Sequence, residues 1–83
     1  MKKKYLICGA GGFIGGHVTK ELLSLGHEIT CVDIKPLDLW FQCHNNAKNV
    51  SLDLKLLKNC EKITLGQDYV INMACNMGGI GFI

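Results

Sequence analysis

The period of the hydrophobic positions changes several times along this chain, and each change marks an element. Residues 5–8, Tyr-Leu-Ile-Cys, form an unbroken apolar run that Gly9 ends. A run without polar alternation suits a strand covered on both faces, as in a parallel sheet. From Phe13 the period becomes helical. Ile14, Val18, Leu22 and Leu25 recur at spacings of four, four and three, which is one stripe of an α-helix. The helix predicted over 13–25 carries Phe13, His17, Glu21 and Ser24 on a more polar face and stops at Gly26. Glycine reaches a terminating left-handed conformation at least cost. Residues 28–33 read as a second strand, which cannot run past Pro36 because proline has no donor for a central ladder. Residues 37–48 hold no clean period and are expected to be a loop with a short helical piece. Residues 49–53 alternate as a third strand, Leu54, Leu57 and Cys60 mark a second helical face that Gly66 closes, and 68–74 read as a fourth strand. The last stretch, 75–83, is a glycine-rich loop.

Strand, helix, strand, strand, helix, strand is the alternation of an α/β fold with a parallel sheet and covering helices. The crossovers should be right-handed, and the strand order should be 3-2-1-4. The pattern supplies about half of a doubly wound sheet. The expectation is therefore one partial domain over 1–83, truncated after the fourth strand and without a substrate domain. That strand is apolar on both faces and is expected to leave an open edge prone to self-association. A partial domain buries a smaller share of its surface than a complete one, so marginal stability is expected for the isolated chain.

Composition narrows the classes. At 83 residues with 48% hydrophobic and 19% charged side chains, the chain can build a core and is not a disordered tail. Nine Lys, no Arg and seven acidic residues give a net charge of +2, too small and too scattered for a nucleic-acid surface. Five Cys form an odd count with no C-x-x-C pair, so they read as reduced thiols in a cytoplasmic protein rather than as disulfides. Cys43-His44 has no partners at ligand spacing, and no metal is expected. Lys2, Lys3 and Lys4 before an apolar run imitate a signal peptide, but Gly9, Gly11, Gly12, Gly15 and Gly16 break the run. It also falls short of the ~20 apolar residues a membrane span needs.

Eight of the ten Gly fall in two clusters, and the first carries the chemistry. In Gly9-Ala10-Gly11-Gly12-Phe13-Ile14-Gly15, a G-x-G-x-x-G template from Gly9 fails because position 14 is Ile, whereas G-x-x-G-x-x-G fits at 9, 12 and 15. Gly9 makes the turn out of the strand, Gly12 lets the backbone approach a pyrophosphate, and Gly15 lets the helix pack closely. The helix N-terminus supplies free N–H groups and partial positive charge, so no Arg is needed. A P-loop is excluded: aligned on Gly11 and Gly16, it would put His17 and Val18 where Lys and Ser/Thr must stand. Asp33 lies 18 residues beyond Gly15, at the end of the second strand. That is close to the ~20 expected of an acid that accepts bonds from a ribose and repels a 2′-phosphate. It favours NAD over NADP, with Lys35 near enough to soften the repulsion. Asp53 fits an N-cap for the following helix and an adenine contact equally well, and local pattern alone favours the cap. His17 and His27 read as helix-end residues, Cys8 as packing, and Trp40-Phe41 as a local cluster.

Ile7-Cys8-Gly9-Ala10-Gly11-Gly12-Phe13-Ile14-Gly15 resembles the opening of the extended short-chain dehydrogenase/reductases, the NAD-dependent epimerase/dehydratase family. Val50-Ser51-Leu52-Asp53-Leu54, Asn59-Cys60, and the run from Tyr69 through Met77-Gly78-Gly79-Ile80-Gly81-Phe82-Ile83 resemble its sugar-nucleotide epimerase branch. Cys75 and Asn76 stand where that branch usually has Ala and Asp. The resemblance implies a partial Rossmann-type sheet and NAD as cofactor. It places Gly9, Gly12, Phe13 and Ile14 along the pyrophosphate, with Asp33 and Lys35 at the ribose. Asp53 and Leu54 would contact the adenine, and Met73, Ala74 and Cys75 would pass beneath the cofactor. Gly78 would approach a nucleotide-sugar substrate. The family's Tyr-x-x-x-Lys pair has no counterpart, since Gly9 and Met73 lie four residues after Tyr5 and Tyr69. The resemblance thus implies cofactor-binding elements without catalytic ones. The alternative expectation is a non-catalytic dinucleotide-binding module or the inert product of a truncated gene.

Overall fold

The computed structural model describes residues 2–73. Four parallel strands, β1 (Lys4–Cys8), β2 (Glu28–Asp33), β3 (Lys48–Ser51) and β4 (Tyr69–Asn72), form one sheet in the order β3-β2-β1-β4. Helix α1 (Phe13–Ser24) links β1 to β2, and α2 (Leu57–Thr64) links β3 to β4. A 3-10 turn at Leu37–Leu39 is the short helical piece expected between β2 and β3. The second strand has the bounds its pattern predicts. The third and fourth are shorter than 49–53 and 68–74, and the first helix gives up residue 25 to its cap.

Strand alternation sorts the core onto two faces. Ile7, Ile29 and Cys31 lie on the α1 face with Ala10 and Trp40, and Val18, Leu22 and Leu23 of α1 pack on them. Leu6, Cys8 and Val32 occupy the other face, against Leu52, Leu54 and Ile63. Leu6, Ile7 and Val32 are fully buried. The central strands β1 and β2 thus supply the fully buried residues, whereas Tyr69 and Val70 of β4 are half exposed at the sheet's edge.

Val18 and Leu22 of the predicted α1 stripe pack on the core, but the two ends of the stripe do not. Ile14 and Leu25 are 60% and 63% exposed, and the buried residues are Gly15, Gly16 and Thr19. Backbone contact sets this placement. A Cβ on Gly15 would stand 2.4 Å from the Gly9 carbonyl oxygen and 2.9 Å from Ala10 Cα, so only glycine permits the helix to lie there. Thr19, one turn on, donates its hydroxyl to the Gly15 carbonyl at 2.8 Å, which satisfies its buried oxygen. The second helix also departs from its predicted stripe. It begins at Leu57, which is 72% exposed, and presents Ile63 to the core. Residues 53–56 are a turn, in which Asp53 Oδ1 accepts the Lys55 N–H at 2.9 Å. The N-cap is Leu56, without a side-chain bond. Asp53 therefore closes the turn ahead of α2, which corrects its reading as the helix cap.

The Gly15 contact gives a direct test. Alanine is worth up to about 1 kcal/mol over glycine inside a helix, but a methyl forced onto a carbonyl costs about 1–3 kcal/mol. Gly15→Ala is expected to lower the urea midpoint. Gly12→Ala adds a methyl whose nearest neighbour is 3.5 Å away, and should cost less than about 1 kcal/mol at this N-cap. Equal losses at the two positions would show that the close approach at Gly15 is not what seats the helix.

Candidate functional site

The candidate residues converge at the carboxyl ends of the strands. Order 3-2-1-4 makes β1 the strand where the chain's progression reverses, and the crevice beyond such a switch point is where open parallel sheets bind ligands. At that end Gly9 leaves β1 with φ +81°, a left-handed turn that glycine adopts without a Cβ penalty. Gly9 and Ala10 donate their N–H groups to the Val32 carbonyl at 2.8 and 3.2 Å, which ties the turn to β2. Gly12, extended at φ −84° and ψ 175°, is the N-cap of α1. No side chain caps this helix and no acidic residue lies in its first turn. Among the described residues, the Phe13 and Ile14 N–H groups have no backbone or side-chain acceptor. Their side chains are 59% and 60% exposed. The turn thus offers unclaimed donors at the positive end of a helix dipole.

Asp33 ends β2 and faces this turn. Its Oδ2 accepts the Gly11 N–H at 2.9 Å, and its Oδ1 accepts the Lys35 N–H at 3.1 Å. Each oxygen keeps a lone pair, because a carboxylate accepts about four bonds in all. Lys35 itself is exposed. The Leu52 N–H donates to the Asp33 carbonyl at 2.9 Å, which brings the β3 end, and with it Asp53 and Leu54, beside β2. Asp53 uses one oxygen for the Lys55 N–H, and Leu54 packs on the Leu6, Cys8 and Val32 cluster. On the other side of β1, the Met73 N–H donates to the Cys8 carbonyl at 2.7 Å, so Met73 sits at the foot of the turn. Ala74, Cys75 and Gly78 lie outside the described residues.

Two residues of the turn escaped the sequence reading. The glycine template leaves Gly11 without a role, yet a Cβ there would stand 2.7 Å from Trp40 Cδ1 and 2.9 Å from Asp33 Oδ2. Trp40, read as part of a local cluster with Phe41, is buried in the α1-face core. Phe41 is 59% exposed, meets Phe13 edge-on with centroids 4.8 Å apart, and lies tilted to His17 at 6.2 Å. A fourth glycine beyond the template and the single Trp of the chain were the available signals. Spacing alone could not pair them across 29 residues.

Two histidines outside the turn bond to backbone. His27 Nδ1 accepts the Lys3 N–H at 3.1 Å, and His44 Nε2 lies 3.2 Å from the Gly16 carbonyl. No group of three or more His, Cys, Asp or Glu among the described residues is placed to hold a metal. No described helix is long and apolar enough to cross a membrane. A shallow depression lined by Lys20, Leu23, Ser24, His44, Asn45 and Asn46 contains none of the candidate residues. Burial pushes the Cys8 thiol up from its ordinary value, and the Cys60 thiol adds to the rise. Burial also raises Cys31, partly opposed by its hydrogen bond with Thr19 and reinforced by Cys43.

Fold and turn together define a Rossmann-type nucleotide-binding unit. Comparison with known proteins gives its family: the model for the NAD dependent epimerase/dehydratase family matches residues 5–82, and the chain belongs to that family. It is 42% identical over 85 residues to GDP-mannose 3,5-epimerase 1 of Oryza sativa subsp. japonica, covering 99% of this chain and 22% of that protein. The chain thus spans about a fifth of the length of the curated relatives it matches. Among solved structures, the Bordetella bronchiseptica enzyme WbmH, in complex with NAD+, superposes with TM-score 0.79 at 23% identity over 93% of this chain and 27% of that one. MoeE5, in complex with UDP-glucose and NAD, superposes with TM-score 0.72 at 29% identity over 88% of this chain and 22% of that one.

The thiols allow a check on the site's floor. In the folded chain, Cys43 is exposed while Cys8 and Cys31 are buried with raised pKa, so thiolate is scarce at the last two. Alkylation at neutral pH, mapped by peptide mass spectrometry, is expected to modify Cys43 well before Cys8 or Cys31, and the gap should close in denaturant. Early labelling of Cys8 would show that the end of β1 is open to solvent.

Proposed function

We propose that this chain is the NAD-binding, N-terminal portion of a nucleotide-sugar epimerase most similar to GDP-mannose 3,5-epimerase. One arrangement carries the proposal: the uncapped start of α1 and the Asp33 carboxylate meet across Gly11 at the switch point of the sheet. The residues fit the cofactor. Gly12 is not demanded by packing, since an added Cβ would meet nothing closer than 3.5 Å, so its bareness is left for a ligand that approaches the backbone.

NAD, when bound, would supply reversible hydride transfer at a sugar carbon. The chain's own residues bind and orient it. Gly9 turns the backbone clear of β1, and Gly12, Phe13 and Ile14 present backbone to the pyrophosphate, with the Phe13 and Ile14 N–H groups as donors and the helix dipole behind them. Asp33 accepts from the adenosine ribose through its spare lone pairs, and its charge disfavours a 2′-phosphate. Lys35, adjacent and exposed, moderates that repulsion. Asp53 and Leu54 flank the adenine at the β3 end. Met73 lies beneath the cofactor, followed by Ala74 and Cys75, and Gly78 approaches the nucleotide sugar. The similarity to relatives that handle nucleotide sugars supports that substrate class. The same reading places the protein in the cytoplasm, where NAD is available.

The cofactor assignment is tested by calorimetric titration of the chain with NAD+ and NADP+. The wild type should prefer NAD+. Asp33→Ala should weaken NAD+ by about tenfold or more, the worth of lost bonds to a charged acceptor, and should erase the preference. Unchanged NAD+ affinity in that variant would remove Asp33 from the ribose. No binding of either nucleotide to the folded wild type would overturn the proposal.

A further inference from the structure

Asp33 depends on two backbone donors, Gly11 N–H and Lys35 N–H, and one side chain touches the residues that own both. Trp40 is 8% exposed and lies across the exit of β2. Its Nε1–H donates to the Lys35 carbonyl at 2.9 Å. Its ring stands where a Gly11 Cβ would be, 2.7 Å from that position at Cδ1 and 2.8 Å at Cγ. The adjacent Phe41 N–H then donates to the Gly11 carbonyl at 2.8 Å. Gly11 is thus wedged between an indole edge and a carboxylate, and held on its carbonyl side by the same strap. Residues 35–41 close a loop that grips the glycine turn from outside.

We infer that Trp40 is the positioning residue of the nucleotide site: it locks the Gly11 N–H and the Lys35 backbone onto Asp33, and so fixes the carboxylate that selects between a ribose hydroxyl and a 2′-phosphate. The selectivity part rests on the NAD-binding reading above; the positioning part rests on the hydrogen bonds and on the Trp40–Gly11 contact. A rigid carboxylate discriminates because it cannot swing away from a phosphate, whereas one released from its donors can. Trp40 acts only through Gly11, Lys35 and Asp33 and needs no contact with the nucleotide.

Two readouts on the full chain separate the parts. The first is amide hydrogen exchange at Gly11, referred to the core amides of Leu6, Ile7 and Val32. Trp40→Leu should speed Gly11 exchange about tenfold relative to those amides, the worth of one lost hydrogen bond. Trp40→Phe, which keeps a ring beside Gly11, should restore most of the protection. The second is the ratio of NADP+ to NAD+ dissociation constants, which should fall about tenfold in Trp40→Leu. A general loss of stability would speed all these amides together and weaken both nucleotides alike. That result, or unchanged Gly11 protection in Trp40→Leu, would overturn the inference. If the wild type binds neither nucleotide, the functional proposal falls, and the exchange result alone still decides whether Trp40 positions Asp33.

Discussion

A helix can bring its N-terminus to the end of a strand only if nothing stands between the two backbones. Here the Gly15 Cα faces the Gly9 carbonyl at a distance that would put a methyl 2.4 Å from the oxygen. Everything at the strand ends follows from that approach. It seats α1 on the turn, rotates the helix so that Gly15, Gly16 and Thr19 face inward, and leaves Phe13 and Ile14 outward with unclaimed donors. Bulkier residues at 15 would push the helix off and move the donors away from Asp33. The local contact and the ligand site are one geometric constraint.

The turn is then stiffened from β2. Gly9 and Ala10 hang on the Val32 carbonyl, and Gly11 on the Asp33 carboxylate. Asp33 thus serves the fold while offering its remaining lone pairs outward. A charged acceptor that already holds two backbone donors has little orientational freedom left to lose on binding, which is the advantage of preorganisation. The same economy appears at Met73, whose N–H continues the β4 pairing onto the Cys8 carbonyl. In contrast, α2 holds no fully buried residue and meets the core through Ile63, beside Leu54 of the preceding turn.

The strands, their parallel order and the glycines at 9 and 15 were legible because each depends on local composition: an unbroken apolar run at 5–8, a stretch at 28–33 that stops before Pro36, and glycine where backbone must turn or touch. The middle of the α1 stripe, Val18 and Leu22, packs inward as its period predicts, but the ends were misread because periodicity assumes that bulky apolar residues face the core. At Gly15 and Gly16 the smallest residues do, and Ile14 and Leu25 are displaced outward. The start of α2 was placed too early because Leu54 and Leu57 keep helical spacing through what is an Asp53 turn. Trp40 and Gly11 were not paired because their contact is a tertiary one, across an aperiodic segment in which spacing carries no information.

The central claim is that the start of α1 and the end of β2 together form a nucleotide site. Titrating the 15N-labelled chain with NAD+ and following every backbone amide tests it most directly. The account predicts saturable shifts concentrated at Gly11, Gly12, Phe13, Ile14 and Asp33, with smaller ones near Asp53 and Met73. Shifts centred instead on the Lys20 to Ser24 end of α1, or none at saturating NAD+ in a folded chain, would contradict it.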